Sequence, residues 1–272
     1  MSDQAERHPM TLKTVGYTMP GVHAVTVRLD MAYKDGDEAL MMDLYSPPQP
    51  KGGAQVPAVV FVLGYPDVGV PNSLGCQFKE FGMSTSWARL LAASGLVAIV
   101  YTTRTPATDV HAVLQYIRQN AASLGVDAQR IGLLAASANV AVALSALMQD
   151  PDLKCAALLC GFTLDLDGST TVAEMSRTFG FANACAGRSM DDLPSHIPLF
   201  VVRAGKDQFA GLNTSLDTFL TRALARNLPL SVINYPSGAH AFDLDEDTDA
   251  SRDIVKQTLA FLRFELVENS HR

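Results

Sequence analysis

The sequence predicts an α/β domain with a mostly parallel central sheet and helices on both of its faces. Three observations favour this class. Ala58–Leu63 is a continuous apolar run rich in β-branched residues, as expected of a central strand that is covered on both sides. After this run, strand-like and helix-like segments alternate to the end of the chain. Before it, alternating apolar segments indicate antiparallel strands at one edge.

Each element follows from the spacing of its apolar residues. The predicted strands are 24–29, 39–45, 58–63, 96–101, 131–136, 155–160, 199–204 and 230–235. The predicted helices are 84–94, 109–124, 138–149, 216–226 and 253–266. Residues 162–198 are too long for an ordinary connection, and we expect a small cap insertion of short helices there. We expect the whole chain, 1–272, to form this single domain.

Composition excludes several classes of function. Hydrophobic residues make up 48% of the chain and charged residues 18%, which is typical of a globular protein. The formal net charge is −7, and no run rich in lysine and arginine occurs. Because nucleic acids and anionic membranes attract clustered positive charge, we expect neither as a partner.

The chain has no obvious targeting segment. Met1–Met10 is polar and lacks the apolar stretch of a secretory signal, and no segment reaches the roughly 18 apolar residues of a membrane helix. The four cysteines form no C-x-x-C pair and are too sparse for a disulfide scaffold. We therefore expect a cytoplasmic protein with reduced, mostly buried thiols.

Ser137 is the candidate nucleophile. It lies where the predicted strand 131–136 meets the following helix, and a sharp turn at such a junction can raise a hydroxyl above the sheet. The residues two before and two after this serine should be small, and they are Ala135 and Asn139. Ala135 satisfies this requirement, whereas Asn139 is larger than the usual glycine. Taken alone, the pattern is equally compatible with an ordinary serine in an alanine-rich turn.

The segment before this serine carries a family resemblance. Asn120–Asp127 followed by Arg130-Ile131-Gly132 resembles the α/β-hydrolase superfamily, and within it the dienelactone-hydrolase-like and small carboxylesterase branches. The likeness extends from Leu44-Tyr45-Ser46-Pro47 to the closing helix. It implies a serine, an acid and a histidine in that order along the chain.

The resemblance indicates His240 as the base. His240 lies in Gly238-Ala239-His240-Ala241-Phe242, which is similar to the histidine loop of the superfamily. A serine hydroxyl needs such a base to become a good nucleophile. His111 and His196 are the alternatives, but they lie on a helix and before a strand.

Asp207 is the expected acid. It follows a strand in Gly205-Lys206-Asp207, which matches the superfamily's G-x-D step, and an acid is needed to orient the imidazole. Asp165 and Asp167 are the rivals, because some members take the acid from the preceding strand. Asp243 and Asp245, just after the histidine loop, are expected to be surface carboxylates.

The oxyanion of an acyl-transfer intermediate requires preorganised N–H donors. One is expected at Ala138, the residue after the serine, and the other in the loop Leu63-Gly64-Tyr65-Pro66. Since Pro66 has no N–H, the second donor is Tyr65 or Gly64, and we favour Tyr65. The usual His-Gly-Gly is missing there, which argues against the lipase-like branch that carries it.

No metal and no cofactor is expected, because no histidine or cysteine cluster has metal-binding spacing and no glycine-rich phosphate fingerprint is present. Cys76 is a rival nucleophile, as in true dienelactone hydrolases, but a nucleophile should lie at the strand–helix turn.

The sequence thus predicts a serine hydrolase that cleaves small-molecule esters of small to medium acyl groups. The alternatives are a peptidase, thioesterase or acyltransferase with the same three residues, or a catalytically silent relative that binds a ligand. A homodimer is left open.

Overall fold

The computed structural model describes residues 7–36, 39–48 and 55–269. Over these residues the chain forms one eight-stranded sheet with helices packed on it, in the strand order β1-β2-β4-β3-β5-β6-β7-β8. The strands are β1 (Thr26–Lys34), β2 (Leu40–Ser46), β3 (Val56–Phe61), β4 (Val97–Tyr101), β5 (Val126–Ala136), β6 (Ala156–Leu159), β7 (Leu199–Ala204) and β8 (Leu230–Tyr235). β1 and β2 run antiparallel to their neighbours, and the remaining strand pairs are parallel. The predicted fold class is confirmed.

From β3 onward, one or two helices lie between successive strands, and two more follow β8. These helices are α1 (Val70–Leu74), α2 (Gly82–Ala93), α3 (Pro106–Gln119), α4 (Ala121–Leu124), α5 (Val140–Gln149), α6 (Thr171–Phe179), α7 (Leu212–Ala225), α8 (Phe242–Asp245) and α9 (Asp249–Arg263). In the described parts of the chain, none of them is both long enough and apolar enough to cross a membrane.

Most boundaries differ from the sequence prediction by a few residues, and two of the differences have local reasons. The helix predicted at 109–124 is interrupted at Asn120, whose φ of −110° and ψ of 14° are not helical. Its side-chain amide donates to Tyr116 O at 2.9 Å, an acceptor that it shares with the Asn120 backbone N–H. β5 begins at Val126 rather than at 131, but its pairing with β3 shifts register between Val56 and Ala58. In this interruption residues 127–130 of β5 lie opposite Pro57, which has no N–H to give to the ladder.

The core lies in and around the parallel strands. β3 and β4 are buried along nearly their whole length, and β5 is buried from Ile131 to Ala135. All four cysteines are buried and unpaired. The stretch 162–198, expected to form a cap, contains α6 and a 3-10 turn at Met190–Asp192, and its role as a cap stays a prediction.

Candidate active site

The predicted nucleophile lies in the turn between β5 and α5. Ser137 has a φ of +57°, in the left-handed region that residues other than glycine rarely adopt. The turn Ser137–Asn139 is a single 3-10 turn, and α5 begins at Val140. Gly161, after β6, makes room for this turn, because a Cβ there would lie 2.1 Å from Val140 Cγ2. Ser137 lines a cavity of about 510 Å³.

A chain of hydrogen bonds joins Ser137, His240 and Asp207. Ser137 Oγ lies 2.7 Å from His240 Nε2, and His240 Nδ1 lies 2.6 Å from Asp207 Oδ2. Because a carboxylate can only accept, Nδ1 carries the hydrogen and Nε2 is free to accept from the serine hydroxyl. The Asp207 side chain is 0% exposed, and its other oxygen accepts from Phe209 N–H at 3.0 Å. Such an arrangement can take a proton from Ser137 and stabilise the imidazolium that results.

The segment Gly205–Asp207, which carries the aspartate, lies in close backbone contact with Pro236, just before the histidine loop. A Cβ at Gly205 would lie 2.4 Å from Pro236 O, so only glycine fits between them. Glu246 then holds the histidine loop, since its carboxylate accepts from Ala239 N–H at 2.8 Å and from Tyr235 OH at 2.7 Å. No motif in the sequence indicated Glu246, because the chain must fold back through α8 before this carboxylate meets the end of β8 and the histidine loop.

The two residues after Asp207 also contact the histidine. Gln208 Oε1 accepts from His240 N–H at 3.3 Å. The Phe209 ring meets the imidazole edge to face, with ring centroids 4.6 Å apart. Phe209 also contacts Phe162 and Phe179, so the Phe209 ring lies between the stretch 162–198 and His240. Sequence reasoning missed both residues, although their position beside Asp207 was a signal.

The three candidate oxyanion donors differ in whether their N–H group already has an acceptor. Gly64 N–H donates to Asn139 Oδ1 at 2.7 Å, so Gly64 is not available as a donor. Tyr65 N–H, by contrast, donates to no acceptor among the described residues. Ala138 lies in the first turn of a helix, where backbone N–H groups have no intrahelical acceptor. Tyr65 and Ala138 are therefore the two donors that remain free.

Asn139 fits beside the serine because the residue facing it is a glycine. A Cβ at Gly64 would lie 2.9 Å from Asn139 Cα and 3.0 Å from Asn139 Oδ1. The small residue that the turn requires is thus supplied by the neighbouring loop rather than at position 139. The asparagine side chain uses the space to hold that loop.

The rival residues lie elsewhere. Asp165 accepts from two N–H groups in the first turn of α6, and Asp167 pairs with an arginine of α7. His111 lies on α3, and His196 bonds a backbone carbonyl. Cys76 follows α1 and does not line the cavity. In the described ranges, no cluster of three or more His, Cys, Asp or Glu side chains could hold a metal ion.

The prediction that Asp243 is a surface carboxylate is wrong. Asp243 is 4% exposed, lines the cavity and accepts from Trp87 Nε1 at 2.9 Å. Burial raises the pKa of Asp243, and the hydrogen bond from Trp87 opposes that shift. Asp245 is half-exposed as expected, and it pairs with Lys13 at 2.6 Å. The tryptophan that donates to Asp243 comes from α2, a contact that the local sequence does not reveal.

The walls of the cavity are mainly apolar. Large apolar side chains on them are Met10, Leu63, Leu74, Phe78, Phe81, Met83, Leu159, Phe209 and Leu244. Many come from the connection between β3 and α2, and none comes from residues 162–198.

Two buried charged residues hold the connection between β3 and α2 in place. Asp67 accepts from the N–H groups of Phe78 and Thr103, each at 2.8 Å, and Lys79 binds Asp43 at 2.8 Å.

Comparison with known proteins identifies the fold. No family model matches the sequence, and no curated protein matches it at a significant level. Solved structures do match. A bacterial heroin esterase is 16% identical with a TM-score of 0.66, over 90% of this chain and 86% of that one. EstE1, a thermophilic carboxylesterase cloned from a metagenomic library, is 18% identical with a TM-score of 0.69, over 92% of each chain.

An alpha/beta hydrolase enzyme from the metagenome of Lake Arreo, Spain, is also similar. It is 18% identical with a TM-score of 0.64, over 89% of this chain and 85% of that one. At such identities the likeness concerns the fold alone. The chain has the α/β-hydrolase fold.

Proposed function

We propose that this chain is a serine hydrolase that cleaves carboxylic esters of small to medium acyl groups through an acyl-enzyme on Ser137. One observation carries the proposal. An unbroken set of hydrogen bonds, 2.6 and 2.7 Å long, leads from a buried carboxylate through an imidazole to a serine hydroxyl that faces an apolar cavity. The structural neighbours named as esterases support the same reaction class.

The reaction proceeds in two acyl-transfer steps. His240 Nε2 takes the proton of Ser137 Oγ while this oxygen attacks the ester carbonyl carbon. The tetrahedral oxyanion accepts hydrogen bonds from Tyr65 N–H and Ala138 N–H. The imidazolium then gives its proton to the departing alcohol, and the acyl group stays on Ser137. Water gives a proton to His240 Nε2 as it attacks the acyl-enzyme. The bond from the acyl carbon to Ser137 Oγ then breaks, the imidazolium returns its proton to Oγ, and the acid is released. Asp207 keeps Nδ1 protonated throughout.

Trapping with an organophosphonate tests the nucleophile directly. We expect one adduct, mapped by mass spectrometry to Ser137, and none in the Ser137→Ala variant. With a chromogenic short-chain ester, Ser137→Ala and His240→Ala should each lower kcat by several orders of magnitude. A Cys76→Ala variant should retain activity. An adduct on another residue would overturn the assignment.

A peptidase, a thioesterase or an acyltransferase would use the same three residues, and these alternatives differ in the substrates that they accept. Parallel assays with ester, amide and thioester substrates, and with an added alcohol acceptor, distinguish an esterase from a peptidase, thioesterase or acyltransferase. If the chain is instead a catalytically silent ligand-binding protein, it should turn over none of these substrates, and Ser137→Ala should behave like the wild type in every assay. The placement in the dienelactone-hydrolase-like or small carboxylesterase branch, and cytoplasmic residence, rest on the sequence alone.

A further inference from the structure

Residues 7–16, here called the N-terminal strap, lie against the cavity that contains Ser137. Met10 and Lys13 line this cavity although they are more than a hundred residues from Ser137 in the sequence. The strap contains one 3-10 turn, Pro9–Leu12, in which Thr11 is fully buried while its neighbours are exposed. The strap is thus anchored on one side and presents Met10 to the cavity.

Backbone hydrogen bonds fasten the strap to both sides of the cavity. His8 N–H donates to Leu74 O at 3.1 Å, which ties it to the connection between β3 and α2. At the other end, Gly16 N–H donates to Asp243 O at 2.8 Å, which ties it to the segment after His240. The ion pair of Lys13 with Asp245, 2.6 Å long, repeats this second link, but both side chains are about half-exposed and it contributes little.

The strap also lies directly on the start of α2. A Cβ on Gly82 would be 2.6 Å from Lys13 O and 2.8 Å from Leu12 O. Such distances are shorter than real carbon–oxygen contacts, so this close approach depends on glycine at position 82. The path of the strap is therefore set by its fit to α2 as well as by hydrogen bonds at its ends.

We propose that the N-terminal strap is the outer wall of the substrate pocket and sets its preference for the length of the ester's apolar substituent. Met10, with Leu74 and Phe78, provides apolar surface at the strap side of the cavity. A short substituent stays near Ser137, whereas a longer one gains contact with Met10. The inference rests on the proposed esterase function.

The test is the chain-length profile of Met10→Ala. We expect the ratio of kcat/KM for octanoyl to that for acetyl p-nitrophenyl esters to fall about fivefold, since part of one methionine contact is lost. The ratio of kcat/KM for octyl acetate to that for ethyl acetate is measured as well, because the alcohol chain of the ester, rather than its acyl chain, could be the part that contacts Met10. Met10→Leu should retain most of the wild-type ratio, because leucine keeps an apolar surface of similar size at this position.

Leu12→Ala is the matched control. Leu12 lies in the same 3-10 turn and is 58% exposed, close to the 51% of Met10, but it does not line the cavity. Its ratios should stay within twofold of the wild type. An unchanged ratio in both ester series for Met10→Ala, or an equal fall for Leu12→Ala, would overturn the inference.

Gly82→Ala provides a second variant, whose added methyl should displace the strap. We expect faster tryptic cleavage after Lys13 and the same fall in the chain-length ratio. Binding of the unhydrolysed octanoyl ester by Ser137→Ala protein, with and without Met10→Ala, separates the two proposals. If the wild type turns over no ester, the proposed function fails, and the binding comparison still decides whether the strap is a wall: weaker binding with Met10→Ala supports it and equal binding refutes it.

Discussion

Replacing Asn139 by alanine should both destabilise the protein and slow catalysis. In the native structure Gly64 N–H donates to Asn139 Oδ1 at 2.7 Å, and Asn139 is 7% exposed. Without this acceptor the buried N–H is left unpaired, which costs about 1–3 kcal/mol. For a chain of 272 residues, about 2 kcal/mol corresponds to a fall in Tm of about 4 °C.

The catalytic effect follows from the position of the loop. The Gly64 bond holds the backbone that carries Tyr65 N–H, the donor assigned to the oxyanion. Removing an oxyanion donor outright costs about 10²–10³ in kcat, so a donor that is merely loosened should cost about tenfold. We expect KM to change little, because the oxyanion forms only in the transition state.

Thermal unfolding and steady-state kinetics on a chromogenic ester measure the two effects. Asn120→Ala is the matched control, since it removes one hydrogen bond of the same residue type, to Tyr116 O, away from the cavity. It should leave kcat within twofold. An unchanged Tm in Asn139→Ala would refute the energetic reasoning. A lowered Tm with an unchanged or raised kcat would refute the choice of Tyr65 over Gly64, because that substitution frees the Gly64 N–H.

Three further predictions concern neighbouring groups. Asp207→Asn should lower kcat about 10⁴-fold, because an amide N–H facing Nδ1 forces the hydrogen onto Nε2, whereas Asp165→Asn should stay within twofold in the same assay. Gly161→Ala should lower the free energy of unfolding in urea by about 1–3 kcal/mol, because its methyl would overlap Val140; an unchanged midpoint would contradict this. Burial raises the pKa of Asp243 above 3.8, so the folded chain keeps a proton that the unfolded chain releases, and stability is lost as pH rises from about 4. The unfolding free energy of Asp243→Asn relative to the wild type should therefore increase with pH over that window, and a flat difference would rule the argument out.

The sequence by itself determined the fold class, because periodicity and burial pattern are local properties. The apolar run at 58–63 and the alternation after it were sufficient for the parallel sheet. The superfamily resemblance also indicated Ser137, Asp207 and His240, since each stands at a strand exit with a recognisable neighbourhood. Parallel strands end at one edge of the sheet, so residues at these exits converge.

Only the tertiary structure decided which groups surround these three. Asn139 departed from the expected glycine, and its fit depends on Gly64, 75 residues earlier in the chain. The buried Asp243 carboxylate accepts from Trp87, 156 residues earlier, and Gly82 lets the strap that carries Met10 lie on α2. Such contacts depend on atoms brought together from distant segments, and a local sequence pattern carries no information about distances across the fold.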